Sequence, residues 1–164
     1  MSYYLIIRGP LGSGKSTVSS ELCKKLHAKN ISIDKVLDEH NLTKDKEGGY
    51  ISQKSFKKAN EIIAPKIKEI LKSRKPVVID GNFYWKSQVN DLIERLNHPH
   101  HVFTLCAPVE VCIDRDAKRS KTHGEDAAMV VHKKATKFTY GTVIDITQPL
   151  GKAIKEIISH LPKT

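Results

Sequence analysis

Nine residues near the start of the chain have the types and spacing needed to hold a phosphate group. Gly9, Gly14, Lys15 and Ser16 match the pattern G-x-x-x-x-G-K-[S/T]. Glycines let the backbone curl so that several N–H groups point at one anion, and a lysine adds positive charge. We therefore predict that the whole segment binds the phosphates of a nucleoside triphosphate: Gly9, Pro10, Leu11, Gly12, Ser13, Gly14, Lys15, Ser16 and Thr17.

Two residues of this segment have individual roles in the prediction. Lys15 would lie along the β- and γ-phosphates, and the Ser16 hydroxyl would ligate Mg²⁺. The alternative is a glycine-rich turn with an incidental lysine. However, an apolar run precedes the segment and a helical pattern follows it, which is the context that the motif requires. The loop alone does not distinguish a kinase from a GTPase.

Two aspartates follow predicted strands and could complete a phosphotransfer site. Ligands of open parallel sheets bind at the carboxyl ends of the strands, and Asp34 follows ISI while Asp80 ends PVVID. Asp34 is predicted to activate or orient an acceptor hydroxyl, and its alternative role is a helix N-cap. Asp80 is predicted to hold Mg²⁺, directly or through water, or to position the acceptor. Its alternative role is a turn aspartate before Gly81.

A basic segment later in the chain is predicted to be a lid, at about 116–125. Arg115 and Arg119 are four residues apart and share one helical face, and Lys118, Lys121 and His123 add further basic groups. A closed lid would bring an arginine onto the γ-phosphate and exclude water. The alternative is a solvated charged loop.

The elements that must position these residues alternate between strands and helices. Mostly apolar strands separated by helical patterns predict an α/β fold, with a parallel sheet covered on both faces. Pro65 lies inside a long helical pattern and is expected to kink or split that helix. The segment Asn41 to Tyr50 is expected to be a loop. The predicted strands are Tyr3 to Ile7, Ile31 to Ile33, Pro76 to Asp80, His101 to Cys106 and Thr142 to Ile146.

Three further groups of residues invite a functional interpretation. The aromatic residues of DGNFYW, Asp80 to Trp85, could contact an organic substrate or could fasten the following helix to the sheet. The histidines of NHPHH could bind a metal, but no acidic or cysteine partner lies nearby in sequence. The cysteines at 23, 106 and 112 form no C-x-x-C pair and are expected to be buried, reduced thiols.

Length and composition limit the class of protein. The 164 residues suit a single domain, 1–164, and the apolar and charged fractions of 39% and 28% are ordinary for a globular protein. No membrane span or signal peptide is evident, so we expect a cytoplasmic protein, monomeric or weakly dimeric. The net charge of +10 favours anionic partners. Nucleic acid is therefore an alternative partner, although the charge by itself does not favour it.

Taken along its length, the sequence resembles small P-loop kinases of the nucleoside-monophosphate-kinase-like superfamily, in the predicted-kinase branch near polynucleotide 5′-hydroxyl kinase. The matching segments are GPLGSGKST, Asp34, VVIDGN, APVEVCIDRDAKR and VIDIT. The resemblance implies a three-layer fold with five parallel strands in the order 2-3-1-4-5. It also implies that Asp34 activates the hydroxyl, that Arg119 is the lid arginine, and that Arg115 lies along the adenine or the phosphates. The loop after Ile146 would border the base.

These observations lead to one main functional hypothesis and two alternatives. The main hypothesis is a kinase that uses ATP and Mg²⁺ to phosphorylate a hydroxyl of a small molecule or nucleotide. One alternative is a polynucleotide 5′-hydroxyl kinase, and the other is a nucleotide-binding regulatory module. The sequence leaves open the identity of the acceptor and the choice between ATP and GTP.

Overall fold

The computed structural model describes residues 2–118 and 124–163. Strands and helices alternate along most of the chain, as their apolar patterns predict. The strands are β1 (Tyr4–Arg8), β2 (Lys29–Ser32), β3 (Lys46–Glu47), β4 (Tyr50–Ile51), β5 (Val77–Gly81), β6 (His100–Cys106) and β7 (Thr142–Asp145). The helices are α1 (Lys15–Leu26), α2 (Ile33–Glu39), α3 (Gln53–Lys72), α4 (Lys86–Leu96), α5 (Val109–Ala117), α6 (Glu125–Ala135) and α7 (Leu150–Ser159).

Five strands form one parallel sheet in the order β2-β5-β1-β6-β7. Counted among themselves along the chain, these strands have the order 2-3-1-4-5, and only the labels shift because β3 and β4 come between them. The predicted α/β class with a five-stranded parallel sheet is therefore confirmed. Because β1 is central, the sites at its carboxyl end lie between β5 and β6.

Helices cover both faces of the sheet, and this explains the continuous apolar strands. Alternate residues of β1 enter different cores: Tyr4 and Ile6 join one cluster, whereas Leu5 and Ile7 join the other. The first core contains buried residues of α2, α3, α4 and α6, and the second contains buried residues of α1, α5 and α7. A strand buried on both faces needs apolar side chains at every position.

Several element boundaries differ from the sequence prediction. The segment expected to be a loop contains the hairpin β3–β4, in which Gly48 and Gly49 have φ of 59° and 85°. Two central residues with positive φ suit a tight hairpin turn. Strand β2 ends at Ser32 rather than Ile33, and β7 ends at Asp145 rather than Ile146.

Two other expectations concern Pro65 and the cysteines. Helix α3 runs from Gln53 to Lys72 with Pro65 inside it, so of the two expected effects the proline does not split the helix. Of the cysteines, Cys112 is buried, but Cys23 is partly exposed and Cys106 is exposed at the end of β6. The prediction of three buried thiols therefore holds for one of them.

Candidate active site

The segment between β1 and α1 forms a tight loop, and at position 12 only glycine fits. Gly12 and Gly14 have φ of 74° and 88°, in the left-handed region that favours glycine. A Cβ on Gly12 would also overlap the backbone carbonyl of Cys112 in α5. Gly14 caps the start of α1, so the unpaired N–H groups of that helix face the same side as the loop.

Lys15 and the two residues after it present polar groups at the start of α1. The Lys15 side chain is buried, and its Nζ donates a hydrogen bond to the carbonyl of Pro10 at 2.8 Å. The ammonium group is thereby held over the loop rather than in bulk solvent. Ser16 and Thr17 are exposed and line a cavity in front of the loop.

Asp80 lies at the end of β5, beside β1, and is buried. Asn30 of the neighbouring strand β2 donates a hydrogen bond from Nδ2 to Asp80 Oδ2 at 3.1 Å. Burial raises the pKa of the Asp80 carboxyl, and the negative charge of Asp34 raises it further. The hydrogen bond from Asn30 and the charge of Lys15 oppose this rise in pKa. A second cation near this carboxylate would therefore stabilise its charged form.

Asp34 lies in the first turn of α2, where its negative charge suits the positive end of the helix. The helix cap is Ser32, whose Oγ accepts a hydrogen bond from the backbone N–H of Lys35. The capping role that the sequence left open for Asp34 thus belongs to Ser32. The Asp34 side chain is exposed and lines the same cavity as Lys15 and Asp80.

The other end of the site is bordered by α5 and by the loop after β7. Arg115 donates from Nη2 to the carbonyl of Ile146 at 2.8 Å. A Cβ built on Gly14 would lie 3.9 Å from Arg115 Nη1, so this guanidinium also lies close to the phosphate loop. Arg115 therefore joins the phosphate loop to the loop that the resemblance places beside the base.

One cavity of about 650 Å³ connects these groups, a volume typical of small-ligand sites. It extends from Asp34 and Asp80, past Lys15, to Arg115 and Ile146. Most of the predicted phosphate-loop residues line it, but Gly9 and Pro10 do not. Its lining residues include Leu11, Gly12, Ser13, Gly14, Lys15, Ser16, Thr17, Asp34, Asp38, Asp80, Arg115, Ile146 and Gln148.

The predicted lid falls only partly within the described residues. Helix α5 ends at Ala117 and α6 begins at Glu125. Arg119, predicted as the lid arginine, lies outside the described residues, as do Lys121 and His123. Lys118 is described, and it forms an exposed ion pair with Asp114 at 2.9 Å.

Arg8, the last residue of β1, is a buried cation that the sequence analysis missed. Its guanidinium donates to the carbonyls of Phe83, Phe138 and Ala135 at 3.2, 3.3 and 2.8 Å, and to Thr104 Oγ1 at 3.1 Å. No carboxylate among the described residues pairs with it. Burial lowers the pKa of Arg8 to about 10, so the group stays charged at neutral pH.

The position of Arg8 explains why this cation is tolerated in the core. The carbonyl of Ala135 is at the carboxyl end of α6, where the helix dipole is negative. The guanidinium also stacks over the Phe138 ring at 4.2 Å from its centroid. Arg8, which directly precedes the phosphate loop, is thus hydrogen-bonded both to the end of α6 and to the Phe83 carbonyl after β5. Only its place just before Gly9 could have drawn attention to it in the sequence.

The aromatic residues after β5 hold the β3–β4 hairpin and do not line the cavity. The backbone N–H of Ile51 donates to Tyr84 Oη at 2.9 Å, and Trp85 Nε1 donates to the Ile51 carbonyl at 2.7 Å. Burial raises the pKa of Tyr84 to about 12, which keeps the phenol protonated. Lys134 of α6 lies over the Trp85 ring at 3.6 Å. Of the two interpretations from the sequence, contact with a substrate in this cavity is not supported, and these contacts fasten the hairpin rather than the following helix.

The histidines of NHPHH contact residues 2–4, and His100 Nδ1 also lies 2.9 Å from the carbonyl oxygen of His98. His98 Nε2 lies 3.0 Å from Ser2 Oγ, and His100 stacks on Tyr4. His101 packs edge-on against Tyr3. In the part of the chain that the structure describes, no group of three His, Cys, Asp or Glu residues is arranged to hold a metal.

The sheet order, the phosphate loop and the cavity in front of it define a small P-loop kinase fold of the nucleoside-monophosphate-kinase-like type. A sequence profile described as AAA domain matches residues 5–139, so the chain belongs to the AAA domain family. No curated protein sequence matches the chain. Within the described ranges, no helix is long and apolar enough to span a membrane.

Solved structures with the same fold include three that are named as kinases. A gluconokinase from Sinorhizobium meliloti 1021 is 19% identical with a TM-score of 0.75, over 95% of this chain and 89% of that chain. A sugar kinase from Janibacter sp. HTCC2649 is 16% identical with a TM-score of 0.80, over 97% and 94%. A deoxyadenosine kinase from M. mycoides, with dCMP and dCDP bound, is 17% identical with a TM-score of 0.55, over 95% and 96%.

Proposed function

We propose that this protein is a kinase that transfers the γ-phosphate of ATP to a hydroxyl of a small molecule or nucleotide. One observation carries the proposal: the phosphate loop with Lys15 opens onto the same cavity as Asp34 and Asp80. The cavity therefore offers a triphosphate site and acidic groups within one space. The names of the three structural neighbours, gluconokinase, sugar kinase and deoxyadenosine kinase, support a hydroxyl-bearing acceptor.

The residues at the sheet edge suit a bound Mg²⁺. Asp80 is a buried carboxylate whose pKa is raised by burial and by nearby Asp34, and the Ser16 hydroxyl is exposed to the same cavity. Oxygen ligands of this kind are those that Mg²⁺ prefers. We assign Ser16 and Asp80 to the metal, the latter directly or through water. The metal would neutralise charge on the β- and γ-phosphates.

The protein's own groups would then act on the two reactants. Lys15, already held over the loop, would neutralise the transferring phosphoryl group and fix its position. Asp34 would orient the acceptor hydroxyl and accept its proton as the new P–O bond forms and the bond to the β-phosphate breaks. Arg119 on the lid would add positive charge at the γ-phosphate, as the resemblance implies.

The acceptor would enter beside α1 and α2. A second cavity of about 490 Å³ adjoins the first and shares Ser16, Lys35 and Asp80 with it. The exposed side chains of Lys24 and Lys35 border this groove. They favour an acceptor that carries a negative charge, and with the net charge of +10 they support a 5′-hydroxyl polynucleotide as a second candidate.

The test is a screen of sugars, nucleosides and 5′-hydroxyl oligonucleotides for phosphorylation by ATP and Mg²⁺. With the accepted compound, Lys15→Ala should lower kcat by at least about 100-fold while the protein stays folded. Lys25→Ala, an exposed lysine on the same helix, is the matched control and should keep full activity. Full activity of Lys15→Ala would remove the phosphate loop from the mechanism.

The screen also separates the alternatives. Asp34→Asn should slow transfer far more than it weakens ATP binding, whereas Glu39→Gln, an exposed residue of the same helix that does not line the cavity, should change kcat little. Oligonucleotide binding that weakens steeply with salt would favour the polynucleotide kinase. ATP binding without transfer to any compound would instead favour a regulatory module.

A further inference from the structure

The loop after β7 contains an amide side chain whose orientation is fixed by two acceptors. Gln148 Nε2 donates to the carbonyl of Asp145 at 2.7 Å and to Glu156 Oε1 at 2.9 Å. A backbone carbonyl and a carboxylate accept hydrogen bonds but cannot donate them. The nitrogen of the Gln148 amide must therefore face these two groups, because the reversed amide would place its oxygen against two other oxygens.

This orientation leaves the amide oxygen as the group that Gln148 can offer to a ligand. Both N–H bonds are used, and Oε1 accepts no hydrogen bond from any residue within 2–118 or 124–163. Gln148 lines the main cavity at the end opposite Asp34, together with Arg115 and Ile146. The Arg115 hydrogen bond to the Ile146 carbonyl holds this loop next to the phosphate loop.

We propose that Gln148 selects the base of the donor nucleotide by accepting a hydrogen bond from an exocyclic amino group, such as N6 of adenine. The inference rests on the proposed function, which places the triphosphate on the loop at Lys15, and it adds the choice of base. Glu156 is the positioning residue, because its carboxylate fixes the direction of the Gln148 amide.

The chemical basis is the difference between adenine and guanine at the 6-position. Adenine carries an amino group there, which donates, whereas guanine and hypoxanthine carry a carbonyl, which accepts. A carbonyl facing Gln148 Oε1 would lose the hydrogen bond and set two acceptors against each other. We expect this mismatch to weaken binding by roughly tenfold, because one hydrogen bond is lost and two acceptors face each other.

The test compares equilibrium binding of ATP, ITP, GTP and inorganic tripolyphosphate, with Mg²⁺ and without an acceptor. ATP and ITP differ at the 6-position of the purine and in the hydrogen at N1, so their ratio of dissociation constants reports contacts at this edge of the base, and the variants below assign them. ITP should bind about tenfold more weakly than ATP, and GTP should resemble ITP. Tripolyphosphate has no base and reports the phosphate loop alone.

Two variants test whether the preference for ATP over ITP depends on Gln148 and Glu156. Gln148→Met removes the amide and should bring the ATP-to-ITP ratio close to one. Glu156→Gln allows the Gln148 amide to reverse and should lower the ratio, although Gln148 itself is unchanged. Glu69→Gln, an exposed residue of α3, is the matched control and should keep the wild-type ratio. A purely structural role of Glu156 would weaken ATP and ITP binding equally.

The outcomes distinguish this inference from the proposed function. Equal binding of ATP and ITP by the wild-type protein, or an unchanged ratio in both variants, would overturn the role of Gln148 and leave the kinase proposal intact. Failure of ATP and tripolyphosphate to bind at all would overturn the proposed function, and with it this inference.

Discussion

The phosphate loop and a second region, made of Asp80 and the β3–β4 hairpin, are held in place by different kinds of contact. At the phosphate loop the contacts involve the backbone: Gly12 packs against the carbonyl of Cys112, and Lys15 donates to the carbonyl of Pro10. In the second region the contacts rely on particular side chains. Asn30 donates to Asp80, and, outside the cavity lining, Tyr84 and Trp85 both form hydrogen bonds with Ile51 of the hairpin.

Because of this difference, the two regions should tolerate substitutions to different extents. Contacts to backbone atoms depend on chain geometry, so the phosphate loop tolerates few substitutions at its glycines. Contacts between side chains can be replaced one at a time while the sheet stays the same. Neighbours with the same fold accordingly carry different names, a gluconokinase and a deoxyadenosine kinase among them.

The largest effect should follow from a methyl group added to the phosphate loop. Gly12→Ala places a Cβ against the Cys112 carbonyl at a residue with φ of 74°. Neither backbone can move without disturbing α5, so we expect a loss of at least about 3 kcal/mol of unfolding free energy. Thermal and urea denaturation of the purified variant would measure this loss.

Gly48→Ala in the hairpin is the matched control. Gly48 also has a positive φ, 59°, but nothing lies within 4 Å of its added Cβ. Gly48→Ala should lower the free energy of unfolding by only about 1 kcal/mol, which is the cost of placing an alanine in the left-handed conformation. Equal losses in the two variants would mean that backbone crowding does not distinguish the phosphate loop from the hairpin.

A variant of Asp80 should separate the effect on stability from the effect on activity in the second region. Asp80→Asn removes a charge that burial disfavours, while the new amide oxygen can still accept the hydrogen bond from Asn30. We expect a higher melting temperature at neutral pH together with a loss of Mg²⁺-dependent transfer of about 100-fold or more.

The pH dependence of this stability difference follows from the raised pKa of Asp80 in the folded protein. Above the folded pKa the wild-type protein bears the cost of the buried charge, and the variant does not. As the pH falls to the unfolded pKa of about 3.9, the wild-type carboxyl is protonated and the difference disappears. A variant less stable than the wild type at pH 7 would contradict this assignment.

The sequence predicts those features whose pattern lies within a short stretch of the chain. The phosphate loop, the start of α1 and Asp80 at the end of β5 follow from motif, periodicity and strand ends. The bounds of α4, Lys86 to Leu96, also agree with the periodicity. Each of these signals lies within a few neighbouring residues. The sheet order instead came from the resemblance to a family.

Hydrogen bonds between residues far apart in the sequence could not be predicted from such local patterns. Arg8 bonds to atoms of residues 75 to 130 positions away, and Asn30 to Asp80, 50 positions away. Pairing over such distances depends on the fold, and periodicity does not encode it. The hairpin was missed because each of its strands has only two residues, too few for an alternating pattern.

The smallest effect is expected where one side-chain hydrogen bond holds the hairpin. Trp85→Phe removes the indole N–H that donates to the Ile51 carbonyl at 2.7 Å and keeps an aromatic ring beside Tyr50. We expect the free energy of unfolding to fall by about 1 kcal/mol or less. Amide hydrogen exchange should become faster only in residues 46–51, and ATP binding should be unchanged. Tyr84→Phe, which removes the acceptor of the Ile51 N–H, should have a similar effect. Weaker ATP binding in either variant would mean that the hairpin and the phosphate loop are coupled and do not behave as independent regions.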